Sequence, residues 1–378
     1  MNYSDAYRLQ LSPVISGYDR QTCWVQARAG VIPTGIGCVV MTMQKLMLTG
    51  SDVFYELNEM RTDNWGKTWE GPVPHSDTMG RRKEQDGIEV AICDFCPQWH
   101  AASGKLLGTG HVARYAGNRL LPAPRPRDVA YSFYDSENRI WSQWDILRMP
   151  KADIFFSCGA GSAQRWDCVD GTILLPVYTT SSNDNCYKTV VVRCAFDGQC
   201  LSYMEHGSFL DLPEPRGLYE PSMVFYNGRY YLTMRNDLRG YVAVSDNGLE
   251  WETPQEWRFD HGKPLGTYNT QQHWLVGPKG LYLVYTRQAG WNDHVFRHRA
   301  PLFMAEVDTE TLTIKRNTER IVIPERGARL GNFHVTKVSE KETWIIAAEW
   351  MQSKKGVGLE GSMFCEQFGS DNTIWVAR

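Results

Sequence analysis

The chain has 378 residues, a formal net charge of −3, 33 glycines, 18 prolines and 12% aromatic residues. This charge balance offers no basic stripe for a nucleic-acid partner, and no apolar run approaches the roughly 18 residues that a membrane span needs. Abundant glycine, proline and aromatic residues are typical of many short strands and tight turns. No Ser/Pro-rich linker interrupts the chain, so we expect residues 1–378 to form a single all-β domain.

The N-terminal stretch lacks a positive region followed by an apolar core. We therefore expect a cytoplasmic protein or, if a signal peptide was trimmed, a secreted or periplasmic one. The ten cysteines are scattered, and we expect reduced, mostly buried thiols. Cys93 and Cys96 form a CxxC motif, but no second pair follows at zinc-binding spacing.

A hairpin unit recurs along the chain after a candidate first strand at residues 7–14, which could close a ring. The units lie at residues 28–44, 96–111, 163–178, 220–235, 272–287 and 332–349. The copy at 220–235 is the clearest, because Asn227-Gly228 between two apolar runs is typical of a two-residue hairpin turn. Units roughly 50 to 70 residues apart predict a β-propeller of four-stranded blades, six by this count.

Three Asp-box-like turns lie between the hairpins: TDNWGKTW at 62–69, YDSENRIW at 134–141 and VSDNGLEW at 244–251. In the third of these we expect Asp246 to be the capping carboxylate, followed by Gly248 and Trp251. An Asx side chain that bonds its own backbone and a glycine at positive φ build such a turn, and its tryptophan packs between blades. The motif is structural and carries no catalysis.

The turn glycines also locate candidate functional residues. A polar or aromatic side chain follows the glycine by seven residues in four hairpins, at His111, Tyr178, Arg235 and Arg287. Glu220 precedes its own turn glycine by eight residues. Because both ends of a hairpin meet at its open end, we expect these side chains to share one face of the molecule.

These residue types suit chemistry on an acidic sugar, since histidine and tyrosine transfer protons and arginine binds a carboxylate through its fork. The candidate catalytic residues are His111, His100 and Tyr178. The candidate substrate-binding residues are Arg165, Arg216, Glu220, Arg235, Arg287 and Glu349. Two of them have a plain structural alternative: His100 could be a core histidine bonded to a backbone carbonyl, and Tyr178 could be strand packing.

His273 and His334 fall at the beginnings of their inner strands, near the axis where all blades converge. Two such imidazoles could hold a central divalent cation or bind substrate, with Asn269, Gln271 and Asn332 as further ligands. No ligand spacing in the sequence demonstrates such a site.

The Asp boxes and the repeated hairpins resemble the sialidase-like β-propellers over almost the whole chain. Sialidases carry an aromatic-Arg-Ile-Pro motif near the start, and the matching stretch AGVIP places Val31 at the arginine. Glu220, ahead of Pro-Ser, matches the glutamate that supports the sialidase tyrosine nucleophile, and Arg235 matches a triad arginine. The resemblance thus covers only part of the sialidase machinery.

Three stretches are similar to a narrower branch that acts on rhamnosyl-glucuronate ends of plant gums: CWVQARAGVIP, LTGSDVFYELNEMRTDNWGKTW and CPQWHAASGKLLGTGH. That branch contains α-L-rhamnosidases, with a lone histidine on one face of the ring, and L-rhamnose-α-1,4-D-glucuronate lyases, which work on the opposite face. Gln26 stands where the hydrolases carry that histidine, which favours the lyase. The resemblance implies seven blades and calcium near the axis, although imidazole is not a preferred calcium ligand.

Three functions therefore stay open. The first is a lyase acting on the end of a plant-gum-type oligosaccharide or polysaccharide, without an organic cofactor. The second is an exo-acting glycoside hydrolase, rhamnosidase or sialidase-like, for which Glu220 with Glu349 or Asp94 is the best carboxylate pair. The third is a non-catalytic glycan-binding propeller, because a fold alone does not determine activity.

Overall fold

The computed structural model describes residues 7–33, 37–48, 52–356 and 358–378. Within these ranges the strands form six antiparallel sheets. Strands of neighbouring sheets contact one another around a ring, and the last sheet contacts the first. This is the arrangement of a β-propeller, so the predicted all-β class is confirmed, and the six sheets match the number of predicted hairpins.

Sheets one to three occupy the first half of the chain. The first contains Thr22–Ile32, Cys38–Met47, Phe54–Thr62 and Glu70–Pro74. The second contains Arg82–Lys83, Glu89–His100, Lys105–Ala116, Arg119–Leu120, Val129–Asp135, Ile140–Trp141 and Asp145–Ile146. The third contains Ser157–Gly159, Trp166–Asp167, Thr172–Thr180, Lys188–Phe196 and Leu201–His206.

Sheets four to six complete the ring. The fourth contains Tyr219–Tyr226, Arg229–Arg235, Gly240–Ser245 and Gln255–Glu256. The fifth contains His273–Gly277, Gly280–Tyr285, Leu302–Asp308, Thr313–Ile314 and Arg320–Ile323. The sixth contains His334–Ser339, Glu342–Ala348, Ile374–Ala377 and Leu11–Ile15. Leu11 pairs with Ala377 in this last sheet, which confirms that an N-terminal strand joins the last blade.

Helices are few. The α-helices are Ser76–Met79 and Leu359–Gln367. Single 3₁₀ turns occur at Gln85–Gly87, Asp153–Phe155, Phe296–His298 and Arg316–Thr318. In the part of the chain that the structure describes, no helix is long and apolar enough to cross a membrane.

The core lies between neighbouring sheets rather than in one centre. Several strands are buried on both faces, as in Thr172–Thr180, where eight of nine residues are buried. This explains why the strands read as nearly continuous apolar runs instead of alternating ones. All ten cysteines are free and seven of them are buried, which agrees with the expected reduced thiols.

The first Asp box has the predicted geometry. The amide of Thr68 donates to Asn64 Oδ1 at 3.0 Å, and the amide of Gly66 donates to Thr62 Oγ1 at 2.9 Å. The Trp69 ring lies 5.9 Å from Trp344 of the sixth sheet. The motif thus joins the first and last sheets of the ring.

The expected role of Asp246 in the box at 244–251 is wrong by one residue. Asn247 Oδ1 accepts from the amide of Leu249 at 2.9 Å, and Ser245 Oγ accepts from Gly248 at 2.8 Å. Asp246 instead faces solvent and pairs with Arg229 at 3.0 Å. Here the capping Asx directly precedes the glycine, so the turn is one residue shorter than in the first box.

Candidate active site

A cavity of about 550 Å³ lies at the end of the axis where the open ends of the inner hairpins meet. Its wall includes three carboxylates, those of Asp52, Asp94 and Glu220. It also includes seven arginines: Arg125, Arg127, Arg216, Arg235, Arg297, Arg299 and Arg329. This excess of guanidinium groups over carboxylates favours an anionic ligand.

Five of the residues predicted from the sequence line this cavity together: His111, Tyr178, Arg216, Glu220 and Arg235. They come from the second, third and fourth sheets and from the loop that enters the fourth. Their positions in the sequence span more than a hundred residues, and the shared geometry of the hairpins brings them together.

His100 and Arg165 lie at the opposite, closed end of the hairpins. His100 Nε2 lies 3.0 Å from the carbonyl oxygen of Gly171, so this ring holds two neighbouring turns together. Arg165 donates to the carbonyl of Leu107 at 2.7 Å and pairs with Asp167 at 2.9 Å. Neither side chain reaches the cavity, and both satisfy buried backbone groups.

Arg287 and Glu349 also lie outside the cavity wall. The Arg287 guanidinium pairs with Glu319 at 2.9 Å, and its seven-residue offset places it beyond the strand that ends at Tyr285. Glu349 accepts from the Trp375 indole at 3.1 Å and pairs with Arg326 at 3.2 Å. Burial raises the pKa of Glu349.

His111 and Tyr178 form a hydrogen-bonded pair. The Tyr178 hydroxyl lies 3.3 Å from His111 Nδ1, and Cys93 Sγ lies 3.1 Å from Nε2. The Cys93 thiol also lies 3.5 Å from the His111 carbonyl oxygen, to which it can donate. This arrangement places the ring proton on Nε2 and leaves Nδ1 to accept from the tyrosine.

The surroundings of this pair keep it uncharged. Burial, and then the nearby Arg127 guanidinium, lower the pKa of His111 to about 3. Burial also raises the pKa of Tyr178 well above its ordinary value. At neutral pH the imidazole is therefore neutral and able to accept a proton.

Two further tyrosines pack beside the pair. The Tyr187 ring centroid lies 5.5 Å from that of Tyr178 and 5.8 Å from that of Tyr219. Burial opposes ionisation of Tyr187, but Arg127, the Ser157 hydroxyl and two further arginines together outweigh it and lower the pKa of this phenol. Tyr187 is thus better suited than Tyr178 to give up a proton.

Most of the cavity arginines have no carboxylate partner. Among the described residues only Arg216 and Arg235 form ion pairs, with Asp237 at 3.4 Å and Glu220 at 2.5 Å. The other five contact neutral groups: Arg125 the Leu121 carbonyl, Arg127 the Tyr187 hydroxyl, Arg297 and Arg299 Asn269, and Arg329 the Trp350 ring. Burial lowers the pKa of Arg329 to about 9.

The cavity floor is built on irregular backbone. Asp94 lies in a bulge of its strand at φ 52°, and Glu220 lies in the matching bulge of the fourth sheet at φ 46°. Asp94 Oδ1 accepts from Arg28 at 2.7 Å and Asn332 at 2.8 Å. Burial opposes this charge, but Arg28 holds the pKa of Asp94 at about 2. Such bulges re-aim side chains and are common beside active sites.

The predicted cation ligands His273 and His334 do lie together at the axis, with ring centroids 6.1 Å apart. The His273 ring lies 2.8 Å from Ser222 Oγ through Nδ1. Their charged neighbour is the guanidinium of Arg28, which contributes to the lowered pKa values of both imidazoles, after burial. The described ranges contain no cluster of three or more His, Cys, Asp or Glu side chains suited to a metal. Two imidazoles beside a guanidinium do not fit calcium, which prefers oxygen ligands.

Sequence reasoning missed the five unpaired arginines. Arg125 and Arg127 lie in the loop before Val129–Asp135 of sheet two, and Arg297 and Arg299 lie in the corresponding loop before Leu302–Asp308 of sheet five. Such loops cross the open end of the blades. The signal was an Arg-x-Arg pair with a proline within two residues in each loop.

No protein-family model and no curated protein matches this sequence. Solved structures do match over nearly the whole chain. The NanB sialidase of Streptococcus pneumoniae has a TM-score of 0.66 at 10% identity, covering 97% of this chain and 70% of that protein. A protein of unknown function from Dyadobacter fermentans has a TM-score of 0.60 at 12% identity, covering 98% of both chains.

The Trypanosoma rangeli sialidase, solved in complex with sialic acid, has a TM-score of 0.61 at 11% identity. This chain spans 59% of the length of that enzyme. Identities this low show a shared β-propeller fold and no more, so the activity has to be argued from the site itself.

Proposed function

We propose that the protein is a carbohydrate-active enzyme, a polysaccharide lyase that cleaves a terminal L-rhamnose-α-1,4-D-glucuronate linkage by β-elimination. The observation that supports this most is the neutral His111, bonded to Tyr178 and flanked by the unpaired Arg127, in a cavity rich in arginine. Elimination from a uronate needs a neutralised carboxylate and a nearby base, and this arrangement supplies both.

In the proposed reaction, Arg125 and Arg127 bind the uronate carboxylate and make the C5 proton more acidic. The Tyr178 oxygen takes that proton as its own proton passes to His111 Nδ1. The C5–H electron pair forms the C4=C5 double bond, and the C4–O bond breaks. Tyr187 gives its proton to the departing oxygen, which leaves as the anomeric hydroxyl of free rhamnose. The single extra proton then passes from His111 to Tyr187 through solvent, which restores both groups.

The carboxylates of the cavity support elimination over two-carboxylate hydrolysis. Asp94 is bonded to Arg28, and Glu220 is paired with Arg235. A hydrolase needs one carboxyl group held protonated at neutral pH, whereas Arg28 holds the pKa of Asp94 at about 2 against its burial. Glu349, the third candidate, lies outside the cavity.

An exo-acting, sialidase-like hydrolase is the second candidate. Glu220 and Arg235 form a close pair beside Tyr219, whose ring lies 4.5 Å from the Arg235 guanidinium. Sialic acid also carries a carboxylate, so the same arginines would suit it. A glycan-binding propeller without activity is the third candidate.

Product analysis by mass spectrometry separates these functions. We would incubate the protein with a rhamnosyl-glucuronate oligosaccharide and, separately, with sialyllactose. Elimination gives free rhamnose and a uronate lighter by one water than the hydrolysis product. A saturated uronate, or free sialic acid, would overturn the lyase proposal in favour of a hydrolase. Bound but unaltered sugar would favour the binding protein.

A further inference from the structure

We propose that the natural substrate carries a second acidic group, a sulfate ester or a carboxylate, on the sugar next to the reacting uronate. This inference rests on the proposed function for the position of the reacting uronate. It derives from the unpaired arginines, which form two groups on different walls of the cavity. We call Arg125 and Arg127 the proximal arginines, and Arg297, Arg299 and Arg329 the distal arginines.

The proximal arginines surround the reacting groups. The Arg127 guanidinium lies 5.1 Å from the Tyr178 ring centroid and 5.7 Å from that of Tyr187. After burial, both proximal arginines contribute to the lowered pKa of His111. A carboxylate beside the base therefore binds here, and a fork-like pair of guanidinium groups is sufficient to neutralise it.

The distal arginines come from the other side of the ring. Arg297 and Arg299 precede Leu302–Asp308 of sheet five, whereas the proximal arginines precede Val129–Asp135 of sheet two. In a ring of six sheets, the second and the fifth stand across the axis from each other. A carboxylate held by the proximal arginines therefore leaves the distal group without an anion.

Few carboxylates within the protein balance the positive charge of the distal arginines. Arg299 and Arg329 are each only 3% exposed, and neither forms an ion pair with a described carboxylate. Arg297 and Arg299 both donate to Asn269, at 3.4 and 3.0 Å. Burial, and then Arg235, lower the pKa values of both Arg297 and Arg299. Buried charges of one sign are costly unless an opposite charge joins them.

An acidic group on the ligand supplies that charge. Sulfate and carboxylate oxygens both accept two parallel hydrogen bonds from one guanidinium. Asp52 is the one carboxylate of the cavity wall that takes part in no ion pair among the described residues, and it is too little for three arginines. The shared chemistry is a planar or tetrahedral oxyanion, and the two sources are separable by choice of ligand.

Calorimetric titration of the His111→Gln protein, in which turnover is blocked, tests this inference. The ligands are rhamnosyl-glucuronate, the same disaccharide with a sulfate on rhamnose, and the trisaccharide rhamnosyl-glucuronosyl-glucuronate. We expect one of the two doubly acidic ligands to bind at least about tenfold more tightly than rhamnosyl-glucuronate, as one good charge-assisted contact provides. The one that gains identifies the acidic group.

Removing the distal charges should abolish that gain alone. In Arg297→Gln/Arg329→Gln, the three ligands should bind with equal affinity, close to that of rhamnosyl-glucuronate before the change. Arg320→Gln, on an exposed arginine outside the cavity, is the matched control and should keep the gain. Equal affinity for all three ligands without any distal change would overturn the inference. A retained gain with no elimination in the wild type would leave the inference standing and remove the lyase function instead.

Discussion

His100 and His111 belong to the same hairpin, yet they do opposite things. His100, at the closed end, lies 3.0 Å from the Gly171 carbonyl and 2.8 Å from Ser103 Oγ, so both ring nitrogens are occupied by structural partners. His111, at the open end, shares its Nδ1 with a tyrosine that faces an arginine-rich cavity. The closed end satisfies its polar groups internally, whereas the open end leaves charge for a ligand.

The arginines repeat this contrast. Arg165 at the closed end uses its guanidinium on two backbone carbonyls and Asp167. Arg127 at the open end has one long contact to the Tyr187 hydroxyl, at 3.4 Å. Residue type alone therefore does not separate a structural from a functional arginine in this fold. Arg165 and Arg127 differ instead in whether groups of the protein itself already bind the guanidinium.

The largest expected effect comes from replacing each of the two histidines by glutamine in separate variants. His111→Gln should lower kcat by about 10²- to 10⁴-fold, because the proton acceptor is lost. His100→Gln should leave kcat within about threefold and lower the free energy of unfolding by about 1–3 kcal/mol, since the Gly171 carbonyl loses its donor. Rate assays and urea titrations of both variants check this, and a large loss of kcat in folded His100→Gln would erase the contrast.

Separate replacement of Arg127 and Arg165 should show the same contrast between activity and stability, with a smaller effect. Arg127→Gln should lower kcat/KM by about 10²-fold, through lost neutralisation of the uronate carboxylate. Arg165→Gln should instead destabilise the fold by about 3 kcal/mol, because Asp167 and two carbonyls lose a buried partner. Kinetics and melting curves on the two proteins would distinguish them, and equal catalytic losses would argue against our placement of the site.

Acid should weaken the protein through its buried neutral histidines. Burial lowers the pKa of His111 and His334 to about 3, from an ordinary value of 6.5. Below pH 6.5 the unfolded chain binds protons that these folded imidazoles refuse, so stability is lost as the pH falls from 6.5 towards 3. The loss should approach about 1.4 kcal/mol per pH unit for each group.

Urea titrations at pH 7 and pH 5 measure this loss. His111→Gln removes one of these titrations and should show a shallower decline than the wild type. Arg320→Gln, on an exposed arginine outside the cavity, is the matched control and should decline like the wild type. Identical slopes for all three proteins would mean that the folded protein does not lower the pKa of His111.

Arg287 gives the smallest expected effect on activity. It lies beyond its strand and pairs with Glu319, away from the cavity. Arg287→Gln should therefore keep kcat/KM within about twofold of the wild type, a change well under 1 kcal/mol in transition-state stabilisation. A tenfold loss in a steady-state assay would bring Arg287 back among the substrate-binding residues.

The fold was readable from local chemistry. Asn227-Gly228 marks a hairpin turn, residues 62–69 mark an Asp box, and both form as predicted because short-range contacts determine them. His111, Tyr178 and Arg235 were found because the inner hairpins repeat with a constant offset. The same offset misplaced Arg287, since the strand of the fifth sheet ends two residues earlier.

The rest of the site depends on contacts between distant segments. The path of the loops carrying Arg297 and Arg299 across the open end follows from how the sheets pack, which no local pattern encodes. The bulges at Asp94 and Glu220 place residues other than glycine at positive φ. Long-range packing imposes such strain, and propensities therefore gave no sign of it.

One measurement tests the central claim most directly: the absorbance of the C4=C5 double bond in the near ultraviolet while the protein acts on a rhamnosyl-glucuronate oligosaccharide. Free rhamnose is assayed in the same samples. We predict that absorbance and rhamnose rise together in wild type and His100→Gln, and that both rise at least about 10²-fold more slowly in His111→Gln. Rhamnose released without the absorbance, or activity retained in His111→Gln, would contradict elimination by the His111–Tyr178 pair.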